Sequence, residues 1–232
     1  MVAKSHSVWP FPRVGGLAGL GFALVIVGAN LILEPAGMPR SGADIADAET
    51  FFADAASSVR LSSVFLPAAW ACVVVFGAAV VAVLWPRERA LGSAWSLVGF
   101  AGLLLQNCTF VGVAATRLAL AHSAGDAAGL WALHNALFAL NGTFLAVAML
   151  GFSLGGWRTG LIRRWHALLG LIAAIGQFGW ASVGPVVLDH VTPLGMLGLV
   201  SWLLWVAWIA TYGITLMRLP ASQPDIAQPV PA

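Results

Sequence analysis

The 232-residue sequence predicts an all-α fold, a polytopic transmembrane bundle of six helices with cytoplasmic termini and a short outer-surface helix in the first loop. Three observations predict it. Hydrophobic residues make up 60% of the chain and charged residues only 9%, against about 25% charged in an average soluble domain. The apolar residues come in blocks of about 20 or more, the length a helix needs to cross roughly 30 Å of hydrocarbon. Lys and Arg are unevenly shared between alternate loops, which sets an orientation.

The blocks fall at about 14–33, 61–85, 91–121, 129–153, 163–187 and 192–217. The first follows Lys4 and Arg13 and is about 20 residues long, beyond the roughly 7–15-residue core of a secretory signal. No small-x-small cleavage site precedes Glu34, so it is read as a retained helix. Four of the five connections are short, which makes consecutive helices antiparallel neighbours. Residues 1–219 therefore form a single transmembrane domain, and the Pro-rich tail 220–232 is expected to lack ordered structure.

With the N-terminus inside, Lys4, Arg13, Arg87, Arg89, Arg158, Arg163, Arg164 and Arg218 are cytoplasmic, while only Arg40, Arg60 and Arg117 lie towards the outside. Acids show the opposite bias, with Glu34, Asp44, Asp47, Glu49, Asp54, Asp126 and Asp189 outside and Glu88 and Asp225 inside. Trp9, Trp85, Trp157 and Trp165 fall at the inner interface and Trp131 at the outer one, where an apolar ring with one N–H donor is favoured.

The long loop, Glu34 to Arg60, contains helix formers from Ile45 onward, with Ser41 or Asp44 as candidate caps. It is expected to form a short surface helix that runs into the second membrane helix as a brace or lid. The pairs Gly15/Gly19 and Gly151/Gly155 have the spacing that allows close helix approach. Pro67 and Pro185 are expected to remove helical N–H donors and kink their helices.

Polar side chains inside hydrocarbon are costly, so their positions carry functional information. By depth, Gln106, Asn107, Asn141 and Gln177 fall in a neutral midplane layer. Asn30, Arg117, His134 and Asn135, with Glu34 and Asp189 at helix ends, fall in a charged layer nearer the outside. The cytoplasmic half reads as almost wholly apolar, which suggests a polar cavity that opens outward and is sealed inward. Trp202, Trp205 and Trp208 recur every three residues with Tyr212 one turn on, as an apolar pocket wall or as packing. Asn30, Gln106, Asn107, Arg117, His134, Asn135, Asn141, Gln177, Trp202, Trp205 and Tyr212 are the candidate ligand-binding residues. The amides have a plainer use as hydrogen-bonding ties between helices.

A formal net charge of +2, on scattered basic residues, does not suit a run of phosphates, so no nucleic-acid partner is expected. Cys72 and Cys108 sit within apolar blocks and read as buried small hydrophobes. No two histidines stand deep at one level as a bis-histidine haem requires, and no metal or other cofactor is expected.

The stretch LHNALFALNGTFLAVAMLGFSLGGWRTGLIRRWHALLGLIAA, residues 133–174, resembles a pattern found in uncharacterised six-helix integral membrane proteins common in actinobacteria. There, an L-H/G-N/D-A-L-F-A-L helix precedes a basic turn, then Trp and another helix; here that turn is Arg158 to Trp165. The resemblance implies a six-helix fold in a bacterial membrane and carries no activity or catalytic residue with it.

Three functions are compatible with these readings. One is binding or carriage of a small, largely apolar molecule entering from the outer side of the plasma membrane. Another is an intramembrane enzyme, an isomerase or cyclase acting on a lipid or isoprenoid, with Glu34, Asp54 or Asp189 as proton donor. The last is an accessory subunit with a membrane-protein partner or a second copy of the chain. Membrane lipid surrounds the chain in each.

Overall fold

The computed structural model describes residues 9–122, 127–187 and 195–220. Lys4, Asp126, Asp189, His190 and the tail beyond residue 220 lie outside the described residues. Among those described, every regular element is a helix.

The first membrane helix, α1 (Phe11–Leu33), is followed by a turn and two short helices, α2 (Ile45–Asp54) and α3 (Ala56–Ser63). Asp44 caps α2, its carboxylate accepting from the Ala46 N–H at 3.3 Å. The expected surface helix is thus present, as a pair. Next come α4 (Leu66–Ala90), α5 (Trp95–Leu120), α6 (Ala127–Arg158), α7 (Arg164–Val187) and α8 (Gly195–Met217). Among the described residues, six stretches are long and apolar enough to cross a membrane, with α3 and α4 together forming the second. The chain is an integral membrane protein built as a six-helix bundle.

Helix boundaries differ from the apolar blocks for local reasons. The kink expected inside the second membrane helix is instead a break at Val64–Phe65. Pro67 cannot donate to the Ser63 carbonyl and would clash with it, so α3 stops at Ser63 and Pro67 falls in the first turn of α4. Helix α5 starts at Trp95 rather than near residue 91, because Gly92 at φ +61° closes α4. The Ser93 N–H then returns to the Glu88 carbonyl at 2.9 Å. Gly160 at φ +75° ends α6 similarly, past the block boundary near residue 153. Pro185 lies within α7.

Consecutive membrane helices pack side by side and α8 returns to α1, which closes a six-membered ring. Small residues set how closely they approach. Gly15 abuts Ala79, Gly19 abuts Phe76 and Gly151 lies against the Gly99 backbone, so both Gly-x-x-x-Gly pairs stand at helix crossings. A Cβ on Gly16 would lie 2.5 Å from the Gly213 carbonyl oxygen of α8.

Among the described residues, the ring is packed through its middle. Its centre is filled by Phe22, Phe76, Met149, Phe152, Trp205, Trp208 and Tyr212, all buried. Rings meet edge-on, Phe22 with Trp205 at 5.7 Å and Phe76 with Tyr212 at 5.9 Å, the arrangement aromatic quadrupoles favour. A second small core joins α2 and α3 to the bundle at the acidic end, around Leu33, Ala48, Phe51, Phe52, Val59, Leu120 and Trp131. The outward surface stays apolar: Leu24 and Ile175 are each 74% exposed, as a lipid-facing wall requires.

Candidate functional site

Helices α5 and α6 position most of the polar residues. Their antiparallel register follows from four contacts: Gly99 with Phe152, Gly102 with Phe144–Ala148, Gly112 with Leu137, and Arg117 with His134. That register brings Gln106 and Asn107 level with Asn141 and Gly142. A Cβ on Gly142 would lie 3.2 Å from Gln177 Oε1, so the fourth amide stands in the same layer. Asn107 Nδ2 donates to the Trp70 carbonyl at 3.3 Å and Gln177 Nε2 to the Gly198 carbonyl at 3.1 Å. These two amides tie α5 to α4 and α7 to α8. The side-chain carbonyl oxygens of Gln106, Asn107 and Asn141 are buried with no partner among the described residues.

Nearer the acidic end, Arg117 Nε donates to His134 Nε2 at 3.0 Å. A ring nitrogen that accepts carries no proton, so the imidazole is neutral with its hydrogen on Nδ1. Nδ1 faces Asn135 Oδ1 at 3.4 Å. His134 is stacked between two rings of its own helix, Trp131 at 4.9 Å and Phe138 at 6.0 Å, with interplanar angles of 7° and 8°. The Arg117 guanidinium also lies over Phe138, 5.9 Å from its centroid. The column orients the imidazole, and the imidazole orients the guanidinium.

On its other side Arg117 borders a cavity of about 20 Å³, lined also by Asn30, Ser62, Ser63, Phe110 and Ala114. That is room for about one water. Beside Arg117, the space among the described residues is water-sized, smaller than the outward cavity expected from the sequence. Asn30, Ser62 and Ser63 turn one hydrogen bond each back onto their own helices. Among the described residues, the carboxylate whose charge acts on Arg117 is Glu34, itself exposed at the end of α1. A larger open depression of about 530 Å³ lies outside the bundle, lined by Arg40, Asp47, Phe51 and Asp54.

Several expectations need correction. Trp131 is not an interface anchor: it is 4% exposed, and its Nε1 donates to the Ala43 carbonyl at 3.1 Å, fastening the first loop to α6. Of the two readings of the Trp stripe, the structure agrees with packing: Trp205, Trp208 and Tyr212 fill the centre of the ring, and Trp202 packs partly buried beside them. Glu34 and Asp54 are exposed, so neither has the apolar surroundings that would suit a proton donor. Cys108 is exposed rather than buried, and Cys72 is intermediate.

The half of the bundle at the basic end, expected to be almost wholly apolar, is not purely so. Glu88, Ser96, Ser153, His166 and Tyr212 are all buried at the basic end. Helix α5 has Ala94 at its N-cap, which offers no side-chain acceptor, and Glu88 of α4 supplies one instead. Its carboxylate accepts from the Ser96 N–H at 3.0 and 3.1 Å, and from the Ser96 hydroxyl. His166 Nε2 hydrogen-bonds the Trp208 carbonyl at 3.0 Å, and the Tyr212 hydroxyl donates to the Phe152 carbonyl at 3.2 Å. The only hint of the Glu88 contact in the sequence is an acid before Leu91-Gly92-Ser93 and a helix start lacking its own cap.

Among the described residues, no three His, Cys, Asp or Glu side chains converge as a metal site would need. Comparison with protein-family models, with curated proteins and with solved structures found no match.

Proposed function

We propose that this protein binds a small, largely apolar molecule from the outer side of a bacterial cytoplasmic membrane, and holds or carries it there. One observation supports this above the rest: Arg117 lies within the bundle beside a small cavity of mixed lining, and its hydrogen-bond partner among the described residues is a neutral histidine. A cation at such depth is kept where it serves a ligand or an ion pair. Because the cavity is water-sized, only the polar end of the molecule enters, and its apolar body stays against the outer helices or in lipid. Helix α3 contributes Ser62 and Ser63 to the wall of this space.

The test is to purify the protein from native membranes in mild detergent and identify what is extracted with it by mass spectrometry. The compound found is then titrated against wild type, Arg117→Ala and His134→Ala, with thermal shift as the readout. Weaker binding in both variants is expected. Unchanged affinity in both refutes the proposed location.

A further inference from the structure

A guanidinium presents five N–H donors, has no acceptor and keeps its charge. At Arg117, Nε is taken by His134 and one face by the Phe138 ring, and neither contact neutralises that charge. Glu34 acts on it only from an exposed position at the helix end, where water screens the interaction. Arg117 also lines the cavity shared with Asn30, Ser62 and Ser63. Among the described residues, neither the hydrogen-bond partner nor the ring partner of Arg117 brings a negative charge, so the site suits an anion, and the size of the space limits which one.

We infer that the ligand is an amphiphile ending in a carboxylate, such as a fatty acid, with the carboxylate held by Arg117 between α1, α3 and α5. This rests on the outward-binding reading above and assigns its chemical class. A planar carboxylate matches the guanidinium fork in a two-bond arrangement. It also needs little more room than the one-water space of about 20 Å³. A phosphodiester with its headgroup needs several times that space. The rim suits an apolar tail: Leu31, Leu61, Val64 and Phe65 are large apolar residues exposed by more than half. They stand on α1 and on the α3–α4 junction, beside the residues that line the cavity. The head is then bound by protein while the tail remains in the outer leaflet, and no ligand-sized pocket is required.

The experiment uses the full chain in nanodiscs of a zwitterionic lipid, with dodecanoate, dodecanol and dodecyl phosphate as probes. Binding is read by equilibrium dialysis against empty nanodiscs, and for dodecanoate also by the ¹³C signal of the labelled carboxyl carbon. The expected result is dodecanoate bound at least tenfold more tightly than either other probe, with a shifted carboxyl signal. Arg117→Gln should weaken dodecanoate at least tenfold and leave dodecanol unchanged. Ser63→Val fills the cavity, keeps the guanidinium, and should weaken dodecanoate as well; it decides the matter if Arg117→Gln does not fold. Equal binding of dodecanoate and dodecanol overturns the carboxylate assignment while sparing the apolar-ligand reading. Preference for dodecyl phosphate overturns it in favour of a phosphate. No probe bound above empty nanodiscs overturns both, and dodecanoate binding unaffected by Ser63→Val overturns the location.

Discussion

Replacing Glu88 by Ala tests whether the basic end of the bundle is held by a cap supplied from one helix to the next. The carboxylate is fully buried and takes the Ser96 N–H and hydroxyl. Hydrogen bonds to a charged group contribute roughly 1.5–3 kcal/mol each, and a buried donor left unpaired costs about 1–3 kcal/mol. A carboxylate at a helix N-terminus adds some tenths of a kcal/mol through the dipole. These effects overlap, since one removal causes them all, so the expected loss is about 3 kcal/mol. Glu88→Gln keeps an acceptor for the backbone N–H and should lose about half as much. The assay is reversible unfolding in mixed micelles titrated with a denaturing detergent, followed by circular dichroism. A double-mutant cycle with Ser96→Ala, which removes only the hydroxyl, should show coupling of about 1 kcal/mol. If Glu88→Ala unfolds within about 0.5 kcal/mol of wild type, the contact contributes nothing and the reasoning fails.

Gly155→Ala should destabilise by about 1–3 kcal/mol in the same assay, because its Cβ would sit 2.5 Å from Glu88 Oε1. Gly213→Val should cost at least about 2 kcal/mol, since a Cβ there lies 2.7 Å from the Gly16 carbonyl oxygen. Gly28→Ala, with open space around it, should be neutral or stabilising by up to about 1 kcal/mol. Trp131→Phe removes the bond to the Ala43 carbonyl. Hydrogen exchange in α2 and α3 should then accelerate by about fivefold, a loss of about 1 kcal/mol, with the other helices unaffected. Orientation is checked in a Cys72→Ala/Cys108→Ala background: a membrane-impermeant maleimide added to intact cells should label Glu49→Cys and not Leu91→Cys.

Helix number and order were legible in the sequence, as was the depth of most polar residues. The reason is local. Hydrocarbon leaves no partner for an unpaired backbone group, so each apolar stretch must satisfy its own hydrogen bonds as a helix whose length matches the bilayer. Depth then follows from counting residues along it, which is why Gln106, Asn107, Asn141 and Gln177 form one layer, and Arg117 and His134 meet at one level. A surface helix with Ser41 or Asp44 as its cap was legible for a similarly local reason, since a cap acts within one turn; the structure selects Asp44.

The partners across helices were not legible. That Trp131 leaves the interface for the Ala43 carbonyl, that Glu88 caps α5, and that Trp208 fills the ring all depend on register between segments far apart in the chain. That register is set by where glycines let backbones touch, which is a property of helix pairs and not of any one helix. The size of the outer cavity belongs to the same class. Composition and depth placed Arg117, His134 and Asn30 in one outer layer, but only close packing decided that the space left beside Arg117 is about 20 Å³. Side chains from α1, α3, α4 and α5 fill the remainder, because interiors pack with few voids larger than a water.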